Sequence, residues 1–551
     1  MTAGDGGTEG EGGDGGAERD GRIESDGRSE GGNPSASETG ADGSVPPPAP
    51  TCAAPESPPS TAAPTTVVGT GTGTCNEAAL GAAVAKAGII TFNCGDKATI
   101  NVTKALTLRT DVDTIIDGGG NVTLDGGGKT QILSFNHLDY RKNDVKLTVM
   151  RITLANGKVT GTDPYAAAPP PCSQGFYDGY GGALFVRDGI VLIIDTVFDG
   201  NAAEGRGPDV GGGALSLQGV KKATIIGATF KNGVASNGGA IVALNSEFDV
   251  YNSVFENNTA TGSGANSDDA MQCAVVAKNG QHQVGSGGNG GAVMIDGGAD
   301  LTHTFCGVVF RGNKAGTQAL AGAMGRTPDG AKQTTVVDRC VFDGNEATAG
   351  GGGALYFHNS NLQILATTFH ANKAKGCGGI QADGTTIDFL NDTFEANEAS
   401  GTGGVGGAMC LFGGGGKMRN VTFANGKADG FGAAVFGGPT LAVDNTIFSN
   451  NTASNAGAPM QCQMTATGSA NLQFPPNHTV GGAPDSACAT GISFADPLLG
   501  ALGANGGPTP TMLPQAASPA LRVGKGCPAT DQRGTARPAD GCTSGAVEGT
   551  K

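Results

Sequence analysis

One frame recurs through the middle of this chain: Phe-x-x-Asn, a few small residues, then Gly-Gly-Ala and an apolar residue, as in FDGNEATAGGGGALYF at 342–357. Its anchors are Phe198, Phe230, Phe255, Phe310, Phe342, Phe369, Phe394, Phe423 and Phe448, spaced by 25–32 residues except for one interval of 55. A repeat of this length predicts a solenoid in which each copy is one coil stacked on the last, the long interval holding an insertion.

Aligning the copies on Phe specifies the coil. The preceding residue is always β-branched (Val197, Thr229, Val254, Val309, Val341, Thr368, Thr393, Thr422, Ile447), as a strand prefers. Two before Phe stand smaller residues such as Thr196, Ala228, Ser253, Cys340 and Thr446, which the period of two places on the inward face with the ring. One after Phe come Asp199, Lys231, Glu256, Arg311 and Asp343, alternating in sign as parallel, in-register stacking would require. Asn201, Asn258, Asn313, Asn345, Asn372, Asn397 and Asn451, three after Phe, predict a corner where Asn takes left-handed backbone and its amide bonds the next rung. The double glycine predicts a second corner. Together these give an all-β fold, a right-handed parallel β-helix of roughly a dozen coils at about 4.8 Å each.

Composition agrees. Of 551 residues 98 are Gly and none is Trp, which suits an interior one side chain deep better than a thick two-layer core. The net charge is −16, and residues 1–75 carry 12 acidic against 3 basic side chains, so nucleic acid is not an expected partner. No run of 18 apolar residues exists to span a membrane. Thirteen cysteines without a Cys-x-x-Cys pair predict disulfides and an oxidising compartment, although the sequence after Met1 is not a signal peptide.

Four regions follow. Residues 1–73, rich in Gly, Ser, Pro and acid, predict a disordered tether in which Cys52 is a free or incidental thiol. Residues 74–100 predict a short capping helix, N-capped at Thr74 with Glu77 in a capping box, then a first strand, with Cys75 and Cys94 bracketing the unit. Residues 101–475 form the β-helix, with insertions at 158–180 and 258–289. Residues 476–551 form a separate C-terminal region.

The paired F-x-x-N and G-G-A-[IL] signatures over about 180–455 resemble the repeats of polymorphic outer-membrane protein passengers. The end of the chain, with NGGPT, SPA, DQRG-x-x-RP and G-A-x-E, closely resembles the choice-of-anchor Q domain. That resemblance implies an exported, β-helical, cell-surface protein, with no activity established for the domain. Attachment to a surface would then come through the acidic tether.

For chemistry, carboxylates three and four before Phe (Asp195, Asp338, Asp444) fall on distant coils, and Asp268 and Asp269 sit side by side in a loop. No catalytic set, metal site or cofactor is expected from this pattern. His282 reads as a loop residue and His303 as a strand-surface residue rather than as a metal pair. The best binding candidate is the aromatic-rich insertion 158–180, with Tyr165, Phe176, Tyr177, Asp178 and Tyr180. Expected bridges are Cys75–Cys94, Cys273–Cys306, Cys462–Cys488 and Cys527–Cys542, and at least one of Cys340, Cys377 and Cys410 stays buried and free. The function expected is that of a monomeric surface protein, structural, adhesive or ligand-presenting, whose partners are glycans or other surface proteins. The alternative is a polysaccharide lyase or hydrolase working along the coil.

Overall fold

The computed structural model describes residues 52–163, 176–207, 210–262, 275–276, 282–283, 287–298, 300–315, 322, 324–327 and 333–550. Within them the chain is a parallel β-helix. A sheet of fourteen strands, running from Ala98–Asn101 to Ser493–Phe494, carries the phenylalanine anchors. Fourteen rungs make the coil about 60 Å long. An eight-stranded sheet of two-residue strands, Val234–Ala235 to Thr452–Ala453, follows the Asn corner. The third wall is a sheet of 24 strands made of two ladders that merge in the ten-residue strand Val435–Asp444.

The interior repeats because each side chain's neighbours are its own copies. Phe198 through Phe448 stack face to face, with ring centroids 4.5–5.4 Å apart and planes within 20° of parallel. The 55-residue interval is still one rung, since Phe255 pairs directly with Phe310. The small residues two before Phe are buried beside the rings. Cys340 is among them as the free cysteine of the described residues, its thiol pushed up to about 12 by burial. His303, expected on the strand surface, lies instead inside the coil, tilted against Phe248 at 5.0 Å. Its position in Thr302–Cys306 shares the inward face with Phe305.

The corner asparagines form a buried amide ladder: Asn258, Asn313, Asn345 and Asn372 each donate Nδ2 to Oδ1 of the next one at 2.9 Å and to a Phe carbonyl at 3.0 Å. The left-handed residue is not this Asn, however, but the one before it, as at Gly200, Asn257, Gly312, Gly344, Ala371 and Ala396 (φ 51–63°). Moving the strained position off the ladder leaves each Asn free to aim its amide along the stack. In the second corner the first glycine is left-handed (Gly212, Gly238, Gly290, Gly352, Gly406), and a Cβ on the next would meet a backbone oxygen of a neighbouring rung at 1.9–2.4 Å.

The charged column is in register and extends further than expected: Asp199, Lys231, Glu256, Arg311, Asp343, His370, Glu395. Ion pairs run along it at Lys231–Asp199 (3.1 Å), Arg311–Asp343 (3.3 Å) and His370–Glu395 (2.7 Å). A second alternating ladder, Lys314, Glu346, Lys373, Glu398, Lys427, lies on the short-stranded sheet.

At the N-terminal end the helix is Glu77–Lys86, with Leu80, Ala83 and Val84 buried against the first coils. Its cap is Asn76, whose side chain accepts from Ala79 N; Thr74 instead donates to Gly71 O, and Glu77 receives Thr103 N and Oγ1. The tether expectation for 1–73 is corrected from residue 52 onward. Thr66–Val68 is a strand on Gly88–Phe92, Glu56 pairs with Lys146, and Thr61 donates to Asp117. Cys52, far from incidental, is bonded to Cys306 across 254 residues. This stretch runs as a strap across successive rungs, bonded to Asn252 at Cys52, to Lys146 at Glu56 and to Asp117 at Thr61. Residues 1–51 lie outside the described residues.

Three expected bridges are present: Cys75–Cys94, Cys462–Cys488 and Cys527–Cys542. Cys273–Cys306 is not, since Cys52 occupies Cys306, and Cys273 itself lies outside the described residues. Cys377–Cys410 is an additional bridge.

The C-terminal motifs serve as a clasp. Gln532 bonds Thr368, Thr393 and Thr509; Asp531 receives the amides of Arg533, Thr535 and Glu548; buried Arg537 donates to the carbonyls of Thr543 and Gly545 and to Glu548. Ala546 N donates to Thr422 Oγ1. The threonines preceding Phe369, Phe394 and Phe423 are thus where the clasp docks.

Candidate functional site

Among the described residues, two concavities of the outer wall border the features singled out in the sequence. The larger, about 600 Å³, lies between the clasp (Gly506–Pro508, Thr530–Gly534) and the corner at Asp338, Arg339, Leu365, Ala366, Leu390 and Asn391. Its charges satisfy one another: Arg339 bonds Asp338 at 2.6 Å, and Arg533 bonds Asp531 at 2.8 Å. Cys52, Cys306 and Asp338 converge there, but the two sulfurs are bonded to each other and offer a metal nothing.

The second, a groove of about 290 Å³, is the one the insertion 158–180 helps to build. Its floor is the outward face of three consecutive strands, Leu133–Asn136, Leu184–Arg187 and Leu215–Gln218. Because they pair in register, Ser134, Phe185 and Ser216 form one column and Asn136, Arg187 and Gln218 the next, about 4.8 Å apart along the coil. One wall is the end of the insertion, Tyr177 to Tyr180. Asp178 holds that wall, accepting from Thr162 N (2.7 Å), Thr162 Oγ1 (2.5 Å) and Asp163 N (3.1 Å). Burial raises the Asp178 carboxyl, but these donors outweigh it and leave the acid below its ordinary range, so it is ionised at neutral pH. Gln131 Nε2 anchors the far end on the carbonyls of Tyr180 (2.9 Å) and Gly181 (2.7 Å).

The expected binding residues therefore divide. Phe176 is buried, against Gly161 and under the Arg206 guanidinium at 5.5 Å, and folds the loop down rather than facing a ligand. Tyr177, Asp178 and Tyr180 line the groove, with the Tyr180 ring 6.4 Å from Phe185. Tyr165 lies outside the described residues, as do Asp268 and Asp269.

Sequence reasoning missed the remaining contributors. Arg187 sits 4.6 Å over the Tyr140 ring and donates Nη2 to Leu138 O at 2.9 Å. Tyr140 comes from the segment 137–145, pinned by the Asp188 carboxylate on the amides of Lys142 and Asn143 and by Arg141 N on Gly219 O. Gly219 has to be glycine there, since a Cβ would meet Tyr140 Cδ1 at 2.0 Å. The available signal was the alternation within LFVR, which puts Phe185 and Arg187 on one face.

Farther along the same outward face stands a polar cluster. His358 pairs in register with Asp383, and Tyr356 with Gln381. Asp383 receives Gln381 Nε2 at 3.0 Å and the Tyr356 hydroxyl, yet burial keeps its carboxyl above the ordinary range. Tyr356 is almost fully covered and its hydroxyl is raised by burial and by Asp383. No protein-family model matches this chain, and no curated protein matches it either.

Proposed function

We propose that this is an exported surface protein whose β-helix presents a glycan-binding groove, an adhesive or ligand-presenting role rather than a purely architectural one. The observation that carries this is the groove itself. Rings from Tyr177, Tyr180 and Phe185 surround a floor carrying Asn136 and Gln218, and aromatic faces beside amide donors and acceptors are what sugar rings and hydroxyls engage. Export is supported by the five disulfides among the described residues, and none of their helices is long and apolar enough to cross a membrane. The parallel β-helix is the kind of fold that the resemblance to choice-of-anchor Q and polymorphic outer-membrane proteins implies.

A second reading, cleavage of an acidic polysaccharide, draws on the Tyr356, His358 and Asp383 cluster of the same face. One experiment separates the two. Purified protein is screened on immobilised glycans and then incubated with pectin and alginate. Binding lost in Tyr180→Ala, with the melting temperature kept and no shortened product, supports presentation. Product formation abolished by Asp383→Asn replaces it with catalysis, and a blank screen with no product rejects both.

A further inference from the structure

Building on the glycan-binding reading, we infer that the groove selects acidic polysaccharides, with the Arg187 guanidinium receiving the carboxylate of a uronic acid unit. Among the described residues, Arg187 is distinguished by its lack of an anionic partner. Most outward cations in mid-coil stand beside acids in register, as Lys231 does beside Asp199 and Arg311 beside Asp343. The register neighbours of Arg187 are instead Asn136 and Gln218, both neutral, and no carboxylate among the described residues lies within ion-pair distance of it. One Nη bonds the Leu138 carbonyl and the ring of Tyr140 supports the guanidinium plane, which fixes its orientation at little cost in side-chain freedom. Its Nε is buried without a partner.

The acids nearby are already committed. Asp178, which lines the opposite wall, spends its oxygens on Thr162 and Asp163, and Asp188 spends its own on the backbone of Lys142, Asn143 and Gly189. An anion seated on Arg187 has the amides of Asn136 and Gln218 one rung to either side, about 4.8 Å away, and the charged but hydrogen-bonded Asp178 across the groove. That column can bind a carboxylate in bidentate fashion and bond the hydroxyls of the flanking sugars. In a chain of net charge −16, long-range attraction does not bring a polyanion here, so affinity has to come from this contact.

The test uses the full chain and two probes: a galacturonic acid tetramer and its uncharged galactose counterpart, titrated calorimetrically. The acidic tetramer is expected to bind at least tenfold tighter, with affinity falling as salt rises. Arg187→Gln should erase that preference, a loss on the order of 10–100-fold for the acidic probe alone. Arg187→Lys, which keeps the charge but not the fork, should fall between. Equal affinity for both probes, or an acidic preference that survives Arg187→Gln, overturns the inference while leaving glycan binding standing. Failure of both probes on the wild-type chain overturns the inference and counts against the glycan reading as well. If Arg187→Gln misfolds, the salt dependence and probe preference of the wild-type chain decide.

Discussion

Phe342 and Phe185 are rings on strands of the same β-helix, one facing its interior and the other its exterior. Phe342 stacks between Phe310 and Phe369 at 4.8 Å from each and is fully buried. Phe185 stands half-buried between Ser134 and Ser216 and faces the groove. Inside, a residue's neighbours are its own copies, so one solution is repeated at every rung. Outside, each position answers to whatever lies on it, whether strap, clasp, loop or solvent. Apart from the two charge ladders, regularity is therefore a measure of the inside, and departures from it locate what the outside is used for.

The sharpest way to break this contrast is to truncate both rings. Phe342→Ala should cost about 3–5 kcal/mol in chemical denaturation, since neither neighbour can close the gap without leaving its own stack. Phe185→Ala should cost much less stability and show instead in glycan binding. Comparable losses would mean that the wall is not divided as described. Next comes the amide ladder. Asn372→Ala strips a partner from Asn345 N, from Asn345 Nδ2 and from the Phe342 carbonyl, all buried, and should cost at least about 1–3 kcal/mol. Exposed Lys373 next to it forms a surface pair with Glu398, so its removal serves as the near-silent control.

The smallest effect is a pH dependence on the outside column. Burial works to lower the His370 pKa, but the bond to Glu395 and the charges of Glu395 and Asp343 outweigh it and the net shift is upward. For Glu395, burial raises the carboxyl, but His370 and Asn425 bring it below its ordinary value. A raised His contributes fully below its unfolded pKa, near 6.5, and loses that contribution as pH rises through the higher folded value. A lowered Glu contributes above its own unfolded value, near 4.3, and loses it in acid. The pair therefore stabilises most between about pH 4.3 and 6.5. His370→Gln should flatten the wild-type decline in melting temperature above that window, and an unchanged slope would assign the decline elsewhere.

Much of the inside was legible because stacking forces like onto like. Phe198 to Phe448 and the small partners two residues earlier could be placed by counting alone, as could the alternating charges that the same stacking sets on the outside. The left-handed corner was misplaced by one residue, since Asn suits both a left-handed turn and an amide ladder, and composition does not separate the two uses. The strap was illegible for a different reason. PESPPSTAAP has no large apolar side chain, and its order rests on single contacts with residues far along the chain, such as Glu56 with Lys146 and Cys52 with Cys306. At the groove the aromatic insertion announced Tyr177, Asp178 and Tyr180. Arg187, Asn136 and Gln218 come from separate coils, and only the register brings them into one column.

The Cys52–Cys306 bond also decides how the molecule would bear a load. A pull applied upstream of Cys52 and resisted at the far end of the chain passes through the sulfurs to Cys306, in the middle of the coil. The residues between them, including the capping helix and the groove, form a closed covalent loop outside the line of tension. The groove then hangs beside the line of force like cargo on a side branch, and traction on the protein need not deform it.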